Sequence, residues 1–318
     1  MASNPKRNYS LELQIASIRS AGEAMACSRR VPVRLARKQR GKSDSANHGY
    51  FVLIVLALLA LVSTPAQSAA SELKEQTRVA WDSYVRSACL RAEARARESS
   101  FLRISDLPER RLHVQAGETL VWREGDGHPA TAPHGLIHDW MGAVFIPKAT
   151  IADVLAVTRD YDRYSEIFKP AVVEAKELDA AGNDDRFSML LMQKVLFVTA
   201  AMKGEYETRY VQVSAKRWYS ISQSTRLQAI EKFGLPDMRA LPPDQGPGYI
   251  WRLYSFTKFE ESDGGVYIEM EALGLSRDVP IMLRWLVNPI VEHLPRNSMQ
   301  ATLGQTRDAV LARVSHED

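Results

Sequence analysis

Reactive and metal-binding side chains are scarce in this chain. Only two of its 318 residues are cysteine, Cys27 and Cys89. A disulfide framework is therefore excluded, and Cys89 is expected to be a small buried hydrophobe. His134 and His138, with Asp139 adjacent, come nearest to a metal-ligand cluster, but no second group of His or Cys completes it. We expect neither a metal nor a cofactor.

The motifs of common catalytic and nucleotide-binding sites are also missing. The chain has no G-x-S-x-G nucleophile sequence, no G-x-G-x-x-G and no Walker sequence. Nucleotide binding and serine-nucleophile catalysis are therefore not indicated, and no catalytic residue is predicted.

An excess of one charge is lacking in the body of the chain, although not in its amino-terminal leader. Residues 1–70 contain ten Lys or Arg and three acidic residues, a net charge of +7, so the remainder carries −4 of the total of +3. A mildly acidic body gives no indication of nucleic-acid binding. The hydrophobic share of 45% and the charged share of 25% are those of an ordinary globular protein.

The leader has the form of an export signal. Residues 1–48 are basic and expected to be disordered, and residues 49–70 contain a 13-residue apolar run, Tyr50–Val62, followed by small residues. Because a membrane-spanning helix needs about 20 residues, a signal peptide cleaved after Ser68 or Ala70 is favoured. The alternative is an uncleaved anchor that holds the body outside the cytoplasm. Either way, we expect an exported, periplasmic or secreted body.

Residues 71–134 are predicted to form a helical extension. Apolar and small side chains recur at helical spacing through residues 72–98. RRLHV and ETLVW are interpreted as a short hairpin turning at Ala116-Gly117, and GDGHPATAPHG as a loop.

From residue 135 to residue 318 the pattern becomes regular. A strand ends at Pro147, and Thr150 with Asp153 has the spacing of a capping box that begins a helix. Six further strands with turn sequences between them predict an antiparallel meander. These are AVVEAKEL, RFSMLLMQKVLFV, residues 203–213, WYSISQSTRLQAI, YIWRLYSFTKFE and GVYIEMEALGL.

The last stretch, Val279–Val314, is amphipathic and predicted to be helical in two parts. Pro289 and Pro295 favour a kink or break, after which Asn297 or Ser298 would cap the second part. An amphipathic helix needs a surface to lie on, and we expect the sheet to wrap around it.

This order of elements resembles the START-like superfamily, also called SRPBCC or helix-grip proteins. GAVFIPKATIADVLAVTRDYDRYSEIFKPAVVEAKEL is similar to the superfamily's opening strand, helix and second strand, and WRLYSFTKFEESDGGVYIEMEALGLSRDVP to its final hairpin. The resemblance covers about residues 135–314. It implies an α+β helix-grip fold, in which a curved antiparallel sheet of about seven strands wraps around a long carboxy-terminal helix. Members bind lipids, sterols or polyketides, and a minority are enzymes.

The final hairpin supplies most of the candidate ligand residues. Pairing Phe259 with Val266 places Glu271 opposite Tyr254 and diagonal to Arg252 on one face. If this face lines a cavity, these side chains are polar anchors in an apolar pocket. If it faces solvent, they form an ordinary cross-strand pair. The full candidate set adds aromatic residues of the sheet and helix: Tyr206, Tyr219, Arg252, Tyr254, Phe256, Glu269, Glu271 and Trp285.

Three functions fit these observations. The first is an exported, non-catalytic carrier that holds a hydrophobic small molecule or lipid between the sheet and the carboxy-terminal helix and contacts a membrane. The 234–248 loop and the loop before Trp140 are its candidate gates. The second is a cyclase- or dehydrase-like enzyme on the same fold, using Glu271 with Tyr254 or Arg252. The third is a protein-interaction module with a filled core, in which the 72–98 helix docks a partner.

Overall fold

The computed structural model describes residues 73–125, 129–195, 198–245, 250–277 and 284–317, with the backbone alone for residues 195, 198, 284–293 and 317. The predicted leader, signal peptide or anchor and cleavage positions lie outside the described residues. Export therefore stays a prediction. Among the described helices, none has the length and apolar character needed to cross a membrane.

The described strands form one antiparallel sheet in the order β1-β3-β10-β9-β7-β6-β5-β4, with β2 paired to β3 and β8 to β7. The strands are β1 (Leu120–Arg123), β2 (Ala130–Ala132), β3 (Gly135–Pro147), β4 (Val172–Ala181), β5 (Asp184–Val195), β6 (Val198–Ser214), β7 (Arg217–Glu231), β8 (Arg239–Ala240), β9 (Ile250–Ser262) and β10 (Gly265–Arg277). The seven long strands are the seven predicted from the sequence.

Helices lie at both ends of the described chain and after β3. The α-helices are α1 (Glu75–Ala96), α2 (Pro108–Gln115), α3 (Ile151–Thr158), α4 (Tyr164–Ile167) and α5 (Arg284–Glu317), with short 3₁₀ turns at Arg103–Asp106 and Tyr161–Arg163. Helix α3 begins with the predicted capping box, in which the Thr150 and Asp153 side chains each bind the other's backbone N–H. The predicted α+β fold, a curved sheet with a long carboxy-terminal helix and an amino-terminal helical extension, is confirmed.

One face of the sheet, here called the inner face, packs against α5 and α3. Its core contains Trp140, Val144 and Ile146 of β3 together with Met299 and Leu303 of α5. Gly142 allows this approach, because a Cβ at that position would stand 2.6 Å from Leu303 Cδ1. Each fully buried aliphatic side chain contributes about 1.5–3 kcal/mol, so this contact fixes the position of α5 on the sheet.

The opposite face, here called the outer face, packs against the amino-terminal extension. Trp81, Ala88 and Ala92 of α1 lie in one cluster with Tyr254 and Leu273 of the sheet. The segment 101–104 continues the covering layer with Phe101, Leu102 and Ile104, which pack around Tyr267. The extension therefore covers the face of the sheet that lies away from α5.

Two predictions about the extension are wrong. RRLHV lies in helix α2, which begins with Pro108 at its first position, a favoured place for proline. The strand that follows, β1, pairs with β3 instead of forming a hairpin with RRLHV. Residues 130–132 of the predicted loop form β2, also on β3. Both short strands, β1 and β2, thus form by pairing with the long β3 strand.

The predicted break in the carboxy-terminal helix is also wrong. Helix α5 is assigned continuously from Arg284 to Glu317, through Pro289 and Pro295. Asn297 and Ser298 therefore lie inside the helix and are not caps. A proline removes a helical hydrogen bond at a cost of about 3 kcal/mol, so the local sequence favoured a break that the helix does not show.

Candidate functional site

The register of the β9–β10 hairpin decides which candidate residues meet. Phe259 pairs with Ile268, two positions from the predicted Val266. Glu271 is therefore opposite Phe256, and Tyr254 is opposite Leu273. Because side chains alternate with a period of two, a shift of two residues leaves the predicted set on one face but changes every neighbour.

This set lies on the outer face, under α1. Tyr254, Phe256, Glu269 and Glu271 are buried, so the alternative that they face solvent is wrong. They lie on the opposite face from α5, together with Tyr219, and so do not line a space between the sheet and α5. Their role in binding a ligand stays a prediction, with its place in the fold changed.

Two of these residues pack as a pair of rings. Tyr219 and Phe256 stack with ring centroids 4.9 Å apart and an interplanar angle of 17°. Both belong to the cluster that packs against α1. Offset-stacked rings of this kind stabilise a core.

Glu269 fastens the extension to the sheet. Its carboxylate accepts hydrogen bonds from the backbone N–H groups of Arg103 and Ile104, each at 2.9 Å. The Lys258 ammonium lies 3.7 Å from the same carboxylate. Burial lowers the pKa of Lys258, and Glu269 opposes that shift. These contacts give Glu269 a structural role.

Glu271 lies beside a second buried carboxyl group, that of Asp139. Burial first, and then Asp139, raises the pKa of Glu271 to about 7. Burial raises the pKa of Asp139 to about 6, although the Tyr84 hydroxyl donates a hydrogen bond to it at 2.8 Å. Arg91 Nη2 is 3.8 Å from Glu271 Oε1.

Neither predicted acid–base partner bonds to Glu271 among the described residues. Arg252 pairs instead with Asp244. Tyr254 lies beside Cys89, and Glu271 is near enough to help raise the pKa of Tyr254. Sequence reasoning missed Asp139 as the neighbour of Glu271. The sequence did contain a signal for Asp139. It is an acidic residue on β3 whose side chain lies on the same face as those of the apolar residues Met141 and Ala143.

The histidines noted in the sequence point elsewhere. His138 Nε2 is 2.8 Å from the Ser276 hydroxyl, and burial lowers its pKa to about 4. His138 faces the side of β3 opposite to Asp139. In the described ranges, no group of three His, Cys, Asp or Glu residues could hold a metal ion.

The middle of the inner face is lined by short hydroxyl side chains. They occupy successive inward positions of β6, β7 and β9: Thr208, Ser220, Ser222, Ser224, Ser255 and Thr257. The Thr208 hydroxyl donates to that of Ser222 at 2.8 Å, and the Ser224 hydroxyl accepts from the Leu253 N–H at 2.9 Å. Because these side chains are small, they extend less far from the sheet than the bulkier side chains around them.

An aromatic stack borders this row. Phe187 stacks on Tyr161 with centroids 4.2 Å apart and on Tyr206 at 5.2 Å. The Tyr206 ring lies flat over Gly204, where a Cβ would stand only 2.5 Å from the phenol oxygen. Close approach of the ring to the backbone thus requires glycine at 204.

Tyr206 combines burial with an unused polar atom. The side chain is 5% exposed, and its hydroxyl has no hydrogen-bond partner among the residues that the structure describes. Burial raises its pKa far above the ordinary value, so the phenol is a neutral donor at physiological pH. Trp140 Nε1, on the same face, is likewise unpaired within the described ranges.

Apolar side chains on this face remain partly exposed beside the aromatic stack. Met189, Met202 and Leu253 pack around the cluster of Tyr161, Phe187, Tyr206 and Leu227 without being fully buried. At the far end, the Asp185 carboxylate is bound by Arg159 at 2.6 Å and by the Tyr161 hydroxyl at 2.9 Å. The inner face therefore offers an apolar surface with isolated hydrogen-bond donors.

Of the eight candidate ligand residues, Tyr206 lies on this inner face and six lie on the outer face. Trp285 is in α5, but its side chain lies outside the described residues. The structure thus separates residues that the sequence grouped into one site.

No protein-family model and no curated protein matches this chain. Among solved structures, it is similar to a fragment of a STAR-related lipid transfer protein from Xanthomonas axonopodis, with 18% identity and a TM-score of 0.38 over 57% of this chain and 96% of that one. It is also similar to the Zhui aromatase/cyclase from Streptomyces sp. R1128, with 10% identity and a TM-score of 0.38 over 56% of this chain and 96% of that one. Human STARD10 matches with 10% identity and a TM-score of 0.37 over 67% of this chain and 81% of that one.

The predicted helix-grip arrangement, a curved antiparallel sheet with a carboxy-terminal helix against its inner face, is confirmed by the chain's own strand order and contacts. At these identities and TM-scores, what the similar proteins bind bears on this chain only as a proposal.

Proposed function

We propose that this chain is an exported, non-catalytic carrier that binds a hydrophobic small molecule, such as a lipid, between the inner face of the sheet and α5. The observation that carries the proposal is the buried, unpaired Tyr206 hydroxyl beside partly exposed apolar side chains. A ligand pocket is typically apolar with a few placed polar groups, and this face has that composition. The export signal predicted for the leader is consistent with a role outside the cytoplasm.

The alternatives from the sequence have less support. The enzyme hypothesis called for a buried acid–base pair such as Glu271 with Tyr254 or Arg252, and among the described residues neither of these partners bonds to Glu271. The interaction hypothesis called for a filled core and a 72–98 helix that docks a partner, and the apolar face of α1 is already packed on the chain's own sheet.

Membrane contact belongs to the same proposal. The loop after β7 exposes Leu235 and Met238, which are 57% and 49% exposed. The neighbouring Lys232 and Arg239 are paired with Asp237 and Glu231, so this segment presents apolar groups without excess charge. Such a loop would touch lipid while cargo is exchanged.

Native mass spectrometry of the protein purified from the exporting compartment, followed by lipid extraction, tests the carrier function. We expect a stoichiometric hydrophobic ligand and a chain mass that fits cleavage after Ser68 or Ala70. Tyr206→Phe should weaken ligand binding by about two- to tenfold, the usual worth of one hydrogen bond, and so lower the occupancy at sub-saturating ligand. Tyr219→Phe, on the outer face, is the matched control and should retain the ligand.

A ligand-free mass, together with no gain in melting temperature across a lipid panel, would contradict the carrier function. Equal loss of ligand in both tyrosine variants would contradict its location on the inner face.

A further inference from the structure

The sheet opens between two of its strands, β7 and β9. In the described ranges their pairing ends at Gln223 and Tyr254. Beyond that point β7 remains paired with β6 and β8, whereas β9 remains paired with β10 as far as Ile250. A gap is therefore left between two strands that both continue.

A β-bulge accounts for this gap. Glu205 of β6 pairs with Arg226 and Tyr206 pairs with Ser224, so Thr225 of β7 has no paired residue on β6. A bulge bends its strand, and the bend carries β7 away from β9.

A single side-chain contact joins the two strands where they part. The Ser224 hydroxyl accepts a hydrogen bond from the Leu253 N–H at 2.9 Å, in place of the next backbone pair. Among the residues that the structure describes, this is the last hydrogen bond between β7 and β9 on that side.

A cleft with a volume of about 490 Å³ lies at the gap. Val85 and Cys89 line it from helix α1, which forms its outer wall. Its lining on the sheet includes Tyr254 of the outer face together with Ser224 and Leu253 of the inner face. The cleft, here called the α1 cleft, therefore borders both faces of the sheet.

Apolar side chains line the α1 cleft from its rim to the inner face. At the rim, Leu90 of α1 is 62% exposed. Val85 and Ile221 line the cleft between α1 and the sheet, and both are partly buried. Leu253, also partly buried, packs against the aromatic cluster that contains Tyr206. These residues give a hydrophobic molecule apolar contacts between the surface and the proposed carrier site.

The charged side chains of the lining are mostly neutralised by partners. Asp82 is bound by Arg78 at 2.9 Å, and Arg252 is held by Asp244. Asp244 follows β8, so the second ion pair also fixes the segment after β8 beside the cleft. A lining of this kind suits the passage of an uncharged body better than the capture of an ion.

We propose that the α1 cleft is the portal through which the hydrophobic ligand enters and leaves the inner face. The inference rests on the carrier function proposed above. The ligand passes under α1 and between β7 and β9, and the hydrogen bond between Ser224 and Leu253 keeps the gap narrow at other times. The portal sets the rates of uptake and release, whereas the inner face sets the affinity.

Stopped-flow exchange of N-phenyl-1-naphthylamine, an uncharged hydrophobic fluorophore, tests the portal in the full chain carrying Cys27→Ser. Benzyl methanethiosulfonate attaches a benzyl group to Cys89, which lines the cleft. We expect uptake and release each to slow by at least about tenfold with Kd unchanged, because an obstructed passage raises the barrier equally in both directions. Dithiothreitol removes the benzyl group and should restore both rates.

Matched controls locate the effect in the cleft. Cys89→Ala should be insensitive to the reagent. Ser83→Cys added to Cys89→Ala places the benzyl group on the exposed face of α1 and should leave both rates unchanged. Ser224→Ala removes the hydrogen bond to Leu253 and should speed both uptake and release by about two- to tenfold, whereas a merely weakened binding site would speed release alone.

The possible failures of the portal and of the carrier function are distinct. Exchange rates that benzylation of Cys89 leaves unchanged would overturn the portal and leave the carrier function in place. A weaker Kd with unchanged uptake would also overturn the portal, because it would make the cleft part of the binding site. Equal slowing by the benzyl group at position 83 would assign the effect to α1 in general. Absence of N-phenyl-1-naphthylamine binding would contradict the carrier function, and the portal with it.

Discussion

Replacing Glu271 by Gln should stabilise the protein at neutral and alkaline pH but not at acidic pH. Glu271 and Asp139 are buried on the outer face under α1, and in the described ranges Glu271 Oε1 and Asp139 Oδ1 accept no hydrogen bond. Four nearby groups also influence the pKa values of this pair: Tyr84 and Arg91 of α1, Arg103 of the following turn and Glu124 after β1. The amide of Gln mimics the protonated carboxyl group at every pH.

The direction of the effect follows from the raised pKa. Glu271 has a pKa of about 7 in the folded chain against 4.5 as the ordinary value. The folded state therefore holds a proton that the unfolded state has released, and stability falls as pH rises from about 4.5 to about 7. At about 1.4 kcal/mol per pKa unit, the full loss is about 3 kcal/mol. For a domain of this size it equals a melting temperature shift of about 6–12 °C.

Urea unfolding at pH 4, 6 and 8 measures this effect. Glu271→Gln and the unmodified protein should be about equally stable at pH 4, and the variant should be more stable by about 3 kcal/mol at pH 8. Glu174→Gln, an exposed glutamate on the edge strand β4, is the matched control and should show no such difference. Comparing each variant with the unmodified protein at the same pH cancels the pH dependence that comes from the other carboxylates, because both proteins contain them.

A stability difference between Glu271→Gln and the unmodified protein that is the same at pH 4 and pH 8 would refute the reasoning. It would mean that Glu271 is hydrated or paired well enough to ionise freely in the folded state. A destabilised variant at pH 8 would show that the ion pair with Arg91 outweighs the burial of the carboxylate.

Two further predictions concern stability, both measured by urea unfolding at pH 7. Asp185→Asn should lower the free energy of unfolding by about 2–3 kcal/mol, because it leaves the Arg159 guanidinium without its buried partner. The exposed Asp184→Asn is its control and should lower the free energy of unfolding by less than about 0.5 kcal/mol. Equal losses in the two variants would contradict the role of burial. Thr150→Ala should lower the free energy of unfolding by about 1 kcal/mol through loss of the α3 cap, whereas Thr150→Ser should retain the cap. An Ala variant as stable as the unmodified protein would show that the cap contributes nothing to stability.

Local chemistry made several elements predictable. The capping box of α3 needs only Thr150 and Asp153 at the right spacing, and the long strands need only turn sequences between apolar runs. The two faces of the β9–β10 hairpin were also predictable, because alternation is a property of each strand. Their exact pairing was not, since a shift of two residues preserves both faces.

Elements that depend on a distant partner were harder to predict. Residues 108–115 and 130–132 carry weak patterns of their own, and their structures depend on where β3 lies. Helix α5 continues through Pro289 and Pro295 against their local preference for a break, and its later part packs on the inner face through Met299 and Leu303.

The sequence by itself determined the order of the long strands and helices from residue 135 onward, the period of each of those strands and the amphipathic character of the first and last helices. Only the tertiary structure decided which helix covers which face of the sheet. Charges on β9 and β10 suggested an exposed or cavity-lining surface, yet α1 buries Glu271 beside Asp139, about 130 residues away along the chain. Alternation along a strand separates two faces but carries no information on what will pack against either, because that depends on surfaces brought together only when the chain folds.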